Sequence, residues 1–146
     1  MAEFIFKDIV RKAGTADRFE IASAATSREE IGNDVYPPVK SLLRKHKIPF
    51  EPRSARQITA EDYDYYDLLI GMDDMNIKNM IRFFGDDPKN KIHKLLDFHD
   101  SAINGNRNIS DPWYTGNFAQ CGYDVAVGCD ALYKKIMDDF AVIDTF

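Results

Sequence analysis

Asp111-Pro112-Trp113-Tyr114 is the stretch of this 146-residue chain whose residue types point most directly to chemistry. A carboxyl on a loop can give or take a proton. Pro112 biases Asp111 towards an extended backbone, which would hold the side chain out as a general acid. Trp113 and Tyr114 offer flat apolar walls with polar tips, suited to an aromatic ligand. Read alone, the tetrapeptide also fits a surface turn whose rings pack on the following helix. Ser23-Ala24-Ala25-Thr26-Ser27 is a turn of small residues after an apolar run. Its hydroxyls suit the support of a neighbouring phosphate loop, and equally a plain connection leaving a strand.

The other candidates carry less. Cys121 and Cys129 are the only cysteines. Eight residues apart on one helix, they stand about 12 Å apart along its axis, too far for a disulfide. Both fall on an apolar stripe, where cysteine packs as a small hydrophobe. His46, His93 and His99 lack the paired spacing of metal ligands, so no metal is expected, and nothing in the chain calls for a cofactor. Neither glycine-rich nucleotide motif occurs. The acidic run Glu61 to Asp67 reads as a solvated helix start, its acids facing the positive end of the helix dipole.

Bulk properties narrow the classes. The net charge is −5, and no basic run exceeds Arg44-Lys45. Phosphate backbones need clustered cations, so no nucleic-acid partner is expected. With 45% hydrophobic and 29% charged residues, the composition is that of a globular domain. No apolar stretch approaches the roughly 20 residues of a membrane span, and no secretory signal is visible. The expected setting is reducing and cytoplasmic, without a membrane partner.

The elements that must position these residues follow from periodicity and punctuation. Ala2 to Ala13 reads as a helix stopped by Gly14. Phe19 to Ala24 reads as a strand. Pro37 and Pro38 open a helix carrying Val39, Leu42, Leu43 and His46, ended by Ile48-Pro49. Thr59 to Asp62 resembles a capping box. Asp67 to Met72 is a continuous apolar run, as in a strand buried on both faces. Asp73 caps a helix with Ile77, Met80, Ile81 and Phe84 buried. Lys91 to Phe98 reads as a further strand. Residues 101–116 form a polar loop, and a last helix runs from about Asn117 to Phe140. The alternation predicts one α/β domain over residues 1–146, three-layered, with a mostly parallel sheet. Ligands of such sheets bind beyond the carboxyl ends of the strands.

Met1-Ala2-Glu3-Phe4, Ser23-Ala24-Ala25-Thr26, Ala55-Arg56-Gln57-Ile58, Met72-Asp73-Asp74-Met75-Asn76, Lys91-Ile92-His93 and Asp111-Pro112-Trp113-Tyr114 occur in that order. Together they resemble the low-molecular-weight protein tyrosine phosphatases along nearly the whole chain. The resemblance implies a flavodoxin-like sheet and hydrolysis of phosphotyrosine proteins or aryl phosphates through a phosphocysteine. It makes Asp111 the general acid, sets Trp113 and Tyr114 beside the substrate ring, and has Ser23 brace the phosphate loop. Ala25 stands where the family commonly has glycine.

One departure is large. In the family, Met-Ala-Glu follows a first strand and the signature Cys-x5-Arg-Ser-Pro. In this chain no cysteine is followed six residues later by arginine: Val127 follows Cys121 and Lys135 follows Cys129. The expectation is a family chain truncated at its N-terminus, lacking nucleophile and arginine, and therefore inactive. An alternative is a catalytically dead, phosphatase-like interaction module. The absent strand belongs between Phe19–Ala24 and Asp67–Met72. Four buried aliphatics there represent roughly 6–12 kcal/mol, comparable with a domain's net stability of about 5–15 kcal/mol. The slot is therefore expected to be closed by rearrangement. The candidates are pairing of its two flanking strands, the tail Ala141 to Phe146 acting as a strand, or strand exchange in a homodimer.

Overall fold

Five residues, Leu68 to Met72, set the architecture by pointing alternately to opposite sides. Leu68, Ile70 and Met72 pack against one core, and Leu69 belongs to another. A computed structural model describes residues 1–26, 32–99 and 107–144, apart from the side chains of Trp113 and 140–144. Its strands are β1 (Leu69–Gly71) and β2 (Ile92–Lys94), paired in parallel with Leu69 opposite Ile92. The helices are α1 (Ala2–Lys12), α2 (Pro37–Lys45), α3 (Ala60–Tyr65), α4 (Asp74–Phe84), α5 (Pro112–Thr115) and α6 (Phe118–Asp144). One layer holds α1, α2 and α6, with Phe4, Phe6, Val10, Leu43, Val125 and Leu132 buried between them. The other holds α3 and α4, closed by Tyr63, Met80 and Phe84 over Leu69 and Ile92. A small parallel sheet between helical layers is the expected α/β class.

Local signals explain the helices. Pro37 and Pro38 fill the first positions of α2, where a missing N–H costs nothing. The Thr59 N–H donates to Asp62 Oδ2 at 2.7 Å, closing the start of α3. Asp73 Oδ1 accepts the Asn76 N–H at 2.8 Å, and Gly85, at φ 86°, ends α4. In α6 the glycines matter for the opposite reason. A Cβ on Gly128 would stand 2.6 Å from Leu95 Cγ, so α6 lies directly on the turn after β2.

Several sequence expectations are corrected. Phe19 to Ala24 forms no ladder strand; among the described residues the segment's one bridge is at Ala25, to Gln57. Among the described residues β1 pairs with β2 alone, so the two segments flanking the slot do not pair with each other. Phe19 is held instead by rings, 5.7 Å from Phe6 and 6.0 Å from Tyr133. The strand at Lys91 stops at Lys94, because Leu95–Phe98 turn into a 3-10 helix that buries Leu95 and Leu96 under α6. Helix α2 ends at Lys45, ahead of Ile48-Pro49, and Lys47 takes the left-handed turn. Ile81 is exposed, since α4 turns only Ile77, Met80 and Phe84 inward. Asp62 is buried against Arg56 and is not solvated. The backbone of 141–144 continues α6, so that part of the tail is helix and not strand; 145–146 lie outside the described residues.

Gly128→Ala tests the closest approach. Alanine favours helix by about 1 kcal/mol, but forcing a methyl into Leu95 costs typically 1–3 kcal/mol. The expected outcome is a lower urea midpoint than that of the unsubstituted chain.

Candidate functional site

The site builds outward from the carboxyl end of β1. The Ile109 N–H donates to Met72 O at 3.0 Å, and the Ile109 side chain is buried in the larger core. One residue earlier, Asn108 Oδ1 accepts the Asp74 N–H at 3.1 Å and Lys94 Nζ at 3.1 Å. Asn108 Nδ2 donates back to Asp74 Oδ2 at 3.2 Å, and Lys94 Nζ sits 2.8 Å from Asp74 Oδ1. Residues 108 and 109 are thus clamped to the ends of β1 and β2 and to the first turn of α4. Asp111 follows two residues later.

Asp111 is exposed at the start of α5. Its carbonyl accepts the N–H groups of Tyr114 at 3.1 Å and Thr115 at 3.2 Å, with Pro112 in the first helical position. The short helix closes at Gly116, whose φ of 72° turns the chain towards α6. Asn117 then caps α6 by accepting the Gln120 N–H at 3.0 Å. Tyr114 is 86% exposed, so its ring does not pack on α6 as the surface-turn reading required. Trp113 lies on α5; its side chain is outside the described residues.

Ser23 takes part in a different cluster. Its hydroxyl donates to Glu3 Oε1 at 2.7 Å, and Arg53 Nη1 reaches Ser23 Oγ at 3.3 Å. Glu3 is buried, paired with Arg53 and with Lys7 at 2.7 Å. Burial pushes the Glu3 carboxyl up, but bonds from Lys7, Ser23 and Arg53 outweigh it and leave the group below its ordinary value. The Arg53 guanidinium also lies 5.0 Å from the Phe4 ring centre. Residue reading missed this cluster. The i, i+4 spacing of Glu3 and Lys7 was its one visible sign; Arg53 is distant in sequence and gave none.

The start of α1 also meets the start of α6. An added Cβ on Gly122 would stand 3.7 Å from Met1 Sδ, so Met1 packs against the first turns of α6. Cys121, beside it, is buried and feels the positive charge of the Met1 amino group more than that of any carboxylate. Ser23 is thus bonded to the first turn of α1 through Glu3.

Residues 1–142 match the family model described as low molecular weight phosphotyrosine protein phosphatase. The chain belongs to that family. It is 33% identical over 140 residues to the low molecular weight protein-tyrosine-phosphatase YfkJ of Bacillus subtilis, spanning 95% of this chain and 88% of the relative. It is 29% identical over 140 residues to PtpA of Staphylococcus aureus, spanning 95% and 86%. The crystal structure of YfkJ matches with a TM-score of 0.88 at 32% identity, over 94% of this chain and 86% of that one. SP-PTP from Streptococcus pyogenes gives 0.79 at 31%, over 92% and 81%.

Neither thiol of this family member is activated. Burial raises the Cys121 pKa more than the positive Met1 amino group lowers it. Burial pushes Cys129 up to about 12. Both are expected to resist Ellman's reagent near neutral pH while the chain is folded, and both to react in guanidinium, as a thiol count at 412 nm (about the usual wavelength) would show.

The clamp makes a second expectation. Lys94 holds the Asp74 carboxyl below the usual range, and Arg56 does the same for Asp62. Near pH 4 the folded chain then binds fewer protons than the unfolded chain. The stabilisation is present above the unfolded carboxyl pKa and is lost as pH falls through the lower folded values. Urea midpoints should hold steady above about pH 5 and drop below about pH 4, with a shallower drop in Arg56→Met, which unpairs the buried Asp62.

Proposed function

We propose that the chemistry of this fold is hydrolysis of phosphotyrosine and related aryl phosphomonoesters through a phosphocysteine. A thiolate sulfur attacks phosphorus, the P–O bond to the aryl group breaks, and Asp111 gives its proton to the departing oxygen. The Asp111 carboxylate then takes a proton from water as the water oxygen attacks phosphorus. The S–P bond breaks, releasing phosphate and the thiolate. Trp113 and Tyr114 flank the ring, and Ser23, tied to Glu3, supports the phosphate side. The reading rests above all on the stitching of the Asp111 loop to Met72 and Asp74, which holds an exposed carboxyl beyond the carboxyl end of β1.

Within these 146 residues nothing serves as the thiolate, because Cys-x5-Arg does not occur and both thiols are buried. A general acid supplies about 10²–10⁴-fold, whereas phosphate-monoester hydrolysis needs up to about 10²¹. The same buried thiols favour a second reading, a phosphatase-like interaction module without catalysis. The discriminating assay uses p-nitrophenyl phosphate. The 146-residue chain should show no turnover above buffer, and clear turnover would overturn its inactivity. The chain extended ahead of Met1 by the family's strand and Cys-x5-Arg-Ser-Pro loop should be active. It should lose about 10²–10⁴-fold in Asp111→Asn. Inactivity of the extended chain would favour the interaction module.

A further inference from the structure

A cleft of about 270 Å³ lies between α1 and the segment that follows α2. Phe4, Lys7, Asp8 and Arg11 form one wall, and Pro49, Phe50 and Glu51 the other. The α1 residues recur at the three- and four-residue spacing of a single helix face, so their wall is continuous. None of these lining residues belongs to the Asp111 loop. Ligand pockets usually span about 300–1,000 Å³, so a cleft just below that range suits a ligand of one ring.

Two properties of the cleft select a ligand class. The first is an aromatic corner. The Phe4 and Phe50 ring centres stand 6.2 Å apart, edge to face. Phe4 is buried and Phe50 half-buried, so Phe50 offers the accessible ring, and a further ring set against it extends the same packing. The second is an excess of positive charge. The buried Glu3 is shared by Lys7 and Arg53, and the buried Asp8 by Arg11 and Lys12. Each carboxylate therefore holds one cation more than it neutralises. Arg44 is a fifth cation. Its guanidinium lies 5.3 Å from the Phe50 ring centre and pairs with no carboxylate among the described residues. Glu51, exposed, is the third carboxylate at the cleft. Two positive charges are left over, in a chain whose net charge is −5. They are held at the aromatic corner, since Arg53 and Lys7 lie 5.0 and 5.9 Å from the Phe4 ring centre. A phosphate monoester dianion matches that excess, and guanidinium and ammonium groups are its usual partners.

We infer that this cleft is a second, non-catalytic site for a single aromatic ring carrying a phosphate, with the ring on Phe50 and the phosphate between Lys7 and Arg11. Titration of the 146-residue chain with phenyl phosphate, followed in proton–nitrogen correlation spectra, tests it. The expected result is saturable shifts of the amides of residues 4–11 and 50–51. Benzoate, inorganic phosphate and benzyl alcohol should each bind more weakly, by about fivefold or more. Arg11→Gln should weaken phenyl phosphate by about fivefold or more, while Asp8 keeps Lys12 as its partner. Phe50→Leu should weaken phenyl phosphate and leave inorganic phosphate unchanged. Glu51→Gln should tighten phenyl phosphate by about two- to fivefold, because it removes an exposed carboxylate from the lining. Thermal melts matching that of the unsubstituted chain establish that the variants fold. Absence of saturable shifts overturns the assignment. So do shifts centred on residues 108–116, inorganic phosphate that binds as tightly as phenyl phosphate, or affinities indifferent to both Arg11→Gln and Glu51→Gln. The role of Asp111 is tested separately, by turnover of the extended chain.

Discussion

Burial of β1 from both sides is the constraint on which the other elements depend. A three-residue strand with one partner has few ladder hydrogen bonds, so its position comes from packing. Ile70 and its neighbours Leu68 and Met72 anchor it to the α1–α2–α6 layer, while Leu69 anchors it to α3 and α4. Gly71 completes the arrangement. A Cβ there would lie 2.9 Å from Asn76 Cβ, so the first turn of α4 rests almost on the strand backbone. That approach lets Asn76 Oδ1 accept the Met72 N–H at 2.9 Å and leaves Met72 O for Ile109. The loop bearing Asp111 is in this way an extension of how β1 is packed.

Two electrostatic groups join segments that are far apart in the chain, and they work differently. Glu3 is buried, so its charge needs every partner it has; Lys7, Ser23 and Arg53 come from three separate segments. Removing a partner from a buried carboxylate costs more than the pair contributes, which favours one arrangement over its competitors. Asp74 is largely exposed beside Lys94, so the pair is worth little in stability. Its geometry matters more, because Asn108 bonds to both partners and fixes the approach to the acid loop.

Much of this was legible in the residues. Helices α1, α2, α4 and α6 follow from apolar spacing and α3 from its cap at Thr59, with a cap at Asp73, prolines at 37 and 38, and glycines at 14 and 85. Elements whose state depends on a neighbour were not legible. Phe19 to Ala24 has strand-like residues, yet a strand exists only where another supplies a ladder, and rings hold this segment instead. Leu95 and Leu96 continue a strand pattern, but α6 over Gly128 leaves no room except for a turn. Ile81 fits the apolar stripe of α4 by spacing and is left outside, because Ile77, Met80 and Phe84 take the side turned to the sheet. At the site, Asp111, Tyr114 and Ser23 could be named, while Glu3, Arg53, Lys94 and Asn108 could not.

The sequence alone determined the α/β class, the family, the helices and the residue types available for phosphoester chemistry. It determined equally that no Cys-x5-Arg lies among these 146 residues. These are local or ordered patterns, and the chain displays them without folding. Tertiary structure decided which strand-like segments found partners, that both thiols are buried, and how the residues ahead of Asp111 are tied to Met72 and Asp74. Those outcomes depend on desolvation and on hydrogen bonds between residues dozens of positions apart, which no spacing within a segment encodes.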